Sequence, residues 1–190
     1  MPLADLVDDH IAVAVVVNDA QALLRGWDGS PFAKTWNDPR ASSFFTPLRE
    51  KLRIGEWDEK VKEATGSTVR GLLAMAAGEA LLAMPAPDFA KLKKADVPPF
   101  LMAVHVGDHA SEVEKIMAEA ALKAGVDGQT EVLAGTTLHI RPFTAPKTDR
   151  PDAGPGTLAW AIIDGVWILG TGKERVSAAV SGLKNGGVDT

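Results

Sequence analysis

The sequence predicts an α+β fold: one mainly antiparallel sheet with helices packed on one face, in an elaborated ferredoxin-like β-α-β-β-α-β order plus a C-terminal hairpin and helix. Three observations carry this. An apolar strand running into Val, a small residue and Asp before an amphipathic helix occurs twice, as IAVAVVVNDAQALL at 11–24 and LMAVHVGDHASEVEKIM at 101–117. A third strand-to-helix junction, WILGTGKERVSAAV, closes the chain. Asp164 and Gly165 stand between two strong β runs, where a type I′ turn needs positive φ at both central residues.

Residues 10–17 form an almost continuous Val-rich run, which predicts a central strand covered on both faces. Asn18 or Asp19 caps the helix that follows, whose Ala20, Leu23, Leu24 and Trp27 share one face until Asp28 and Gly29 break it. Ser30 and Pro31 are a cap and a first-turn proline, and Phe32 with Trp36 gives the next short helix a buried stripe. Phe44, Phe45, Leu48 and Leu52 have helical spacing, as do Trp57 and Val61 before Gly66. Ser67 then opens a helix through Val69, Leu72, Leu73 and Ala76. Together these form a helical insertion over 19–77, ahead of a second strand at 79–84.

A proline-punctuated loop, PAPDFAKLKKADVPP, leads to a third strand at 100–106. Ser111 and Glu114 spell a capping box for a helix that runs to Lys123 and stops at Gly125. Residues 130–133 and 136–142 read as a hairpin about Ala134 and Gly135. The Pro- and Gly-rich stretch 144–156 has almost no apolar anchors and is expected to be the most mobile internal loop.

The length of 190 residues fits a single domain over 1–190, and 46 % hydrophobic with 24 % charged residues is an ordinary globular balance. A net charge of -5, with Lys and Arg interspersed among acids, argues against nucleic acid as a partner. The absence of cysteine removes disulfides, thiolate nucleophiles and Cys-containing metal sites. No apolar run approaches the ~20 residues of a membrane span, so no membrane insertion is expected. The opening MPLADLVDDH has neither the basic nor the apolar region of a signal peptide.

Motifs that would carry chemistry are incomplete. Gly170-Thr171-Gly172-Lys173-Glu174-Arg175 sits where a dinucleotide fingerprint would, but Arg175 replaces the third glycine and 15 residues are too few for the rest of the site. It reads as a strand-to-helix turn with a solvated Lys173. Ser181 to Lys184 spells Ser-x-x-Lys at a helix end without its companion segments, so no catalytic residue is assigned. His105 and His109 straddle a strand end and make no helix-face ligand pair, and neither a metal nor another cofactor is expected.

Alternation puts Leu101, Ala103 and His105 on one strand face, and His139 with Arg141 opposite Leu138 and Ile140. Both histidines are expected on the less buried sheet face, which makes His105, His139 and Arg141 the candidate ligand-binding residues. Paired acids such as Asp8 with Asp9, or Asp149 with Asp152, read as solvated. Trp27, Trp36 and Trp57 fit helical stripes facing a core. A two-residue closing turn pairs Ile163 with Val166, Ile162 with Trp167 and Trp160 with Leu169, leaving the two tryptophans on one face.

Four segments together resemble an uncharacterised family of exported bacterial envelope proteins. They are the Ser-Pro-x-Ala-x-x-Trp-x-Asp-Pro stretch at Ser30 to Pro39, Gly-Glu-Ala-Leu-Leu-Ala at Gly78 to Ala83, the Val-Gly-Asp junction at Val106 to Asp108, and the closing Asp-Gly hairpin. The resemblance implies an α+β module of a larger extracytoplasmic protein and carries no catalytic residues with it. The expected function is a non-enzymatic binding or structural module with a protein or small-molecule partner. The alternative is a small-ligand binder or enzyme that uses the open sheet face.

Overall fold

The computed structural model describes residues 2–7, 11–52, 59, 62, 66–85, 99–123, 128–143 and 156–186. Its strands are β1 (Ile11–Val17), β2 (Ala80–Pro85), β3 (Leu101–His105), β4 (Gln129–Leu133), β5 (Thr136–Phe143), β6 (Gly156–Ile163) and β7 (Val166–Thr171). Its helices are α1 (Ala20–Gly29), α2 (Pro31–Trp36), α3 (Ser42–Leu52), α4 (Val69–Ala74), α5 (Ala110–Lys123) and α6 (Lys173–Asn185). The expectations for Trp57 and Val61 lie outside the described residues, as do Asp8, Asp9 and the expected 144–156 loop except Gly156, which starts β6.

One seven-stranded sheet runs in the order β1-β2-β3-β7-β6-β5-β4. Every neighbouring pair is antiparallel. The α+β class, the antiparallel sheet and the order of elements along the chain are as expected, but the pairing is not that of a ferredoxin-like split unit. In such a unit the first strand lies inside the sheet; here, among the described residues, β1 pairs with β2 alone and forms one edge. Two meanders, β1-β2-β3 and β4-β5-β6-β7, join where β3 meets β7.

The expectation of helices on one face is also corrected, because there are two cores. On one face Leu81, Ala83, Leu101, Ala103, Leu138, Ala159, Ala161 and Ile168 pack beneath Val176, Ala179 and Val180 of α6 and beside Leu3 and Leu6 of a 3-10 turn. The alanines on β6, Ala159 and Ala161, let the branched residues of α6 approach the strand closely, as dense interiors require. On the other face Val104, Val106 and Trp167 pack with Ala20 of α1, Ala76 and Val113 of α5. Apolar residues along the inner strands thus face helices on both sides, a reading that alternation alone does not provide.

Local caps follow the sequence with small shifts. Asp19 accepts from the Ala22 N–H and Ser30 from the Ala33 N–H, as expected. Thr68 caps α4 in place of Ser67, its hydroxyl accepting from the Gly71 N–H. Ser111 is no cap: a 3-10 turn over Gly107–His109 runs straight into α5, which starts at Ala110. Both strand-to-helix junctions are tied to the residues before β2. Ala20 N–H donates to Gly78 O at 3.0 Å, and Ala77 N–H donates to His105 O at 2.7 Å.

The predicted aromatic stripes of the insertion are only partly inside. Phe45 is buried and touches Phe32, Trp36 and Phe44, whereas Trp27, Phe32 and Phe44 remain exposed. Gly26, within α1, has no atom of the described residues within 4 Å of the position a Cβ would take. Gly26→Ala is therefore expected to stabilise the fold by about 0.5–1 kcal/mol, because a mid-helix glycine costs backbone entropy. A denaturant melt reads the shift.

Candidate functional site

The register across the sheet assembles a continuous row on the face opposite α6: Val15, Leu82, Met102, Leu169, Trp160, His139 and Thr130, one residue from each strand. The neighbouring row holds Val104, Trp167 and Ile162, which pack with Val113 and Met117 of α5. Cover fails toward β1. Val15 is 51 % and Leu82 39 % exposed, while Met102 and Leu169 are half-buried.

At the other end of the row His139 stacks on Trp160, ring centroids 3.7 Å apart and planes 6° from parallel. Trp160 is buried and His139 half-buried. Arg141 lies two residues along the same face. Its Nη1 donates to Ile140 O at 3.2 Å and Gln129 O at 3.4 Å, and its buried Nε has no hydrogen-bond partner among the described residues. Glycine at 128 makes this possible, since a Cβ there would overlap the guanidinium. A depression of about 330 Å³ adjoins the stack, lined among others by Glu114, Thr137, Asp164 and Lys184. That is near the lower end of small-molecule sites.

His139 and Arg141 are therefore brought together as expected, but His105 is not. It pairs with Val166 and alternates with Ala103 and Leu101, the residues of the α6-side core, so the two histidines lie on opposite faces. They cannot share a ligand. Among the described residues no cluster of three or more His, Asp or Glu is placed to hold a metal ion. Trp160 and Glu114 are the site residues that sequence reasoning missed. The Trp160–His139 contact depends on the β5–β6 register, which no short turn fixes, unlike the hairpin pairing of Trp160 with Leu169.

The glycine pattern after β7 is a strand-to-helix turn with a packing role. A Cβ on Gly170 would come within 2.9 Å of Phe100 O and 3.2 Å of Val176, and Gly172 has φ +83 at the start of α6. Lys173, expected to be solvated, pairs with Glu131 at 2.6 Å.

Burial, with the Arg141 guanidinium nearby, holds the His139 imidazole below its ordinary value, and Glu114 opposes this. The folded chain then binds this proton less readily than the unfolded chain. Stability from this group is full above the ordinary value of 6.5 and is lost as pH falls toward the depressed folded value. Thermal melts of His139→Phe are expected to show a flatter pH dependence than the parent below about 6.5. Parallel curves would contradict the depressed value.

Comparison with family models, curated proteins and solved structures finds no match to this chain. Among the described residues no helix is long and apolar enough to cross a membrane.

Proposed function

We propose that the chain is a non-enzymatic binding module whose working surface is the open part of the sheet face. The carrying observation is the row from Val15 through Leu82, Met102 and Leu169 to the His139–Trp160 stack, apolar for five strands and uncovered at its β1 end. Uncovered contiguous apolar surface of this kind marks a place where a partner docks. The partner is a protein or small molecule and not nucleic acid, in keeping with the net charge of -5. The resemblance to exported envelope proteins supports a bacterial, extracytoplasmic setting for such a module.

A second reading is favoured by the depression beside His139: a small planar ligand near the imidazole, among Glu114, Asp164 and Lys184. The two readings differ in what Leu82 does. An apolar fluorescent probe such as anilinonaphthalene sulfonate is expected to brighten on the native protein, with Leu82→Lys removing most of the signal and Phe44→Lys, in the helical insertion, little. Loss on Phe44→Lys with no loss on Leu82→Lys would overturn the proposal. Loss on His139→Gln alone would favour the small-ligand reading.

A further inference from the structure

The ladder between β5 and β6 stops early. Its last pair is Leu138 with Ala161, yet β5 starts at Thr136 and β6 ends at Ile163, so two residues at the end of each strand lie beyond the pairing. Each strand is held there by its other neighbour, through the pairs Leu133 with Thr136 and Ile163 with Val166 beside the two-residue turns. Such closing pairs exchange their hydrogen bonds with each other, so the next residues, Thr137 and Ile162, turn their backbone groups toward the gap. The depression beside His139 takes lining residues from both sheet faces here: Thr136 and Ile163 from the α6 side, Thr137 and Ile162 from the α5 side. Its polar groups lack partners. Thr136 is buried, 7 % exposed, yet its hydroxyl has no hydrogen-bond partner among the described residues. A buried hydroxyl in that state is costly, and a ligand group that reaches it removes the cost. Glu114 on α5, Asp164 at the β6–β7 turn and Lys184 on α6 also line the depression, and none is in an ion pair among the described residues.

Resting on the small-ligand reading of this depression, we propose that it binds a free aromatic α-amino acid, with the carboxylate at Lys184 and the Thr136 hydroxyl and the ammonium at Glu114 and Asp164. The two signs come from different sides, Lys184 and Thr136 from the α6 side and Glu114 from the α5 side. A lone anion faces two carboxylates, and a lone cation leaves Lys184 beside it without a counter-charge. A zwitterion gives each sign a partner. The flat imidazole of His139 and the Ile162 side chain supply a wall for the ring. A depression of about 330 Å³, near the lower end of small-molecule sites, suits a single amino acid.

Saturation-transfer NMR on the full chain with L-phenylalanine, phenethylamine and 3-phenylpropionate separates the charges, because each of the last two lacks one of them. Phenylalanine is expected to bind in roughly the millimolar range, as a ligand of this size does in an open site, and the two single-charge compounds about tenfold more weakly. Glu114 and Lys184 are exposed, so Glu114→Gln and Lys184→Gln leave the fold intact, which circular dichroism verifies. Each is expected to weaken phenylalanine about fivefold. Lys184→Gln leaves phenethylamine unchanged, and Glu114→Gln leaves 3-phenylpropionate unchanged. Thr136→Val is expected to weaken phenylalanine while the melting temperature holds or rises, because a methyl of the same shape replaces an unbonded hydroxyl. Equal or tighter binding of either single-charge compound, or phenylalanine binding that neither charge variant weakens, would overturn the zwitterion and keep a small planar ligand in the depression. Failure of all three compounds to bind would overturn both.

Discussion

Gly165→Val is expected to cost the fold roughly 2–5 kcal/mol, clearly more than the same change at Gly135. Both glycines are the second residue of a two-residue hairpin with positive φ, +74 at Gly165 after Asp164 at +49, and +78 at Gly135 after Ala134 at +49. Backbone strain for a β-branched residue is therefore shared, at about 1–3 kcal/mol. The surroundings differ. A Cβ on Gly165 would sit 3.3 Å from Gly107 Cα, whereas at Gly135 no atom of the described residues lies within 4 Å. The Gly165 carbonyl also accepts from the N–H groups of Val106 and Gly107 at 2.7 and 3.1 Å, tying the turn to the start of α5. Denaturant melts of the two variants separate strain from contact, and equal midpoints would show that the Gly107 contact contributes nothing.

Ile168→Ala is expected to destabilise by about 2–5 kcal/mol, the range for truncating a fully buried aliphatic side chain. Ile168 is 0 % exposed on β7, opposite Ala103 of β3 and Ala161 of β6, in the core beneath α6. With alanine on both sides, no neighbouring strand side chain is long enough to fill the space left. Val132→Ala, on the β4 edge at 76 % exposure, is expected to change stability by less than ~0.5 kcal/mol. A small effect at Ile168 would mean that this core is not the one holding the two meanders together.

The elements legible in the sequence are those with local causes. Asp164-Gly165 fixes its hairpin through positive φ, and the expected pairs Ile163 with Val166, Ile162 with Trp167 and Trp160 with Leu169 are all observed. Ala134-Gly135 does the same for Leu133 and Thr136. Caps at Asp19 and Ser30 are equally local. What was not legible depends on partners far along the chain. The aliphatic run of β1 reads as an interior strand because periodicity reports hydrophobicity and not position, yet β1 is the sheet edge and its middle residues are exposed.

The candidate site divides in the same way. Alternation within one strand correctly placed His139 beside Arg141 and His105 beside Ala103. It could not say which face of β3 matches which face of β5, because that depends on the pairings of β3 with β7, β7 with β6 and β6 with β5 in succession. Trp160 stacking on His139 has the same origin. The one step in that path fixed by a short turn is the β6–β7 hairpin, and its register is the one legible in the sequence.

The measurement that bears most directly on the open sheet face is amide and methyl chemical-shift mapping of the isotope-labelled chain against a panel of aliphatic peptides and small aromatic acids. The account predicts that whichever ligand binds will perturb Leu82, Met102 and Leu169, with Trp160 and His139 at the far end of the row. Shifts confined to the α6 side of the sheet or to the helical insertion would contradict it.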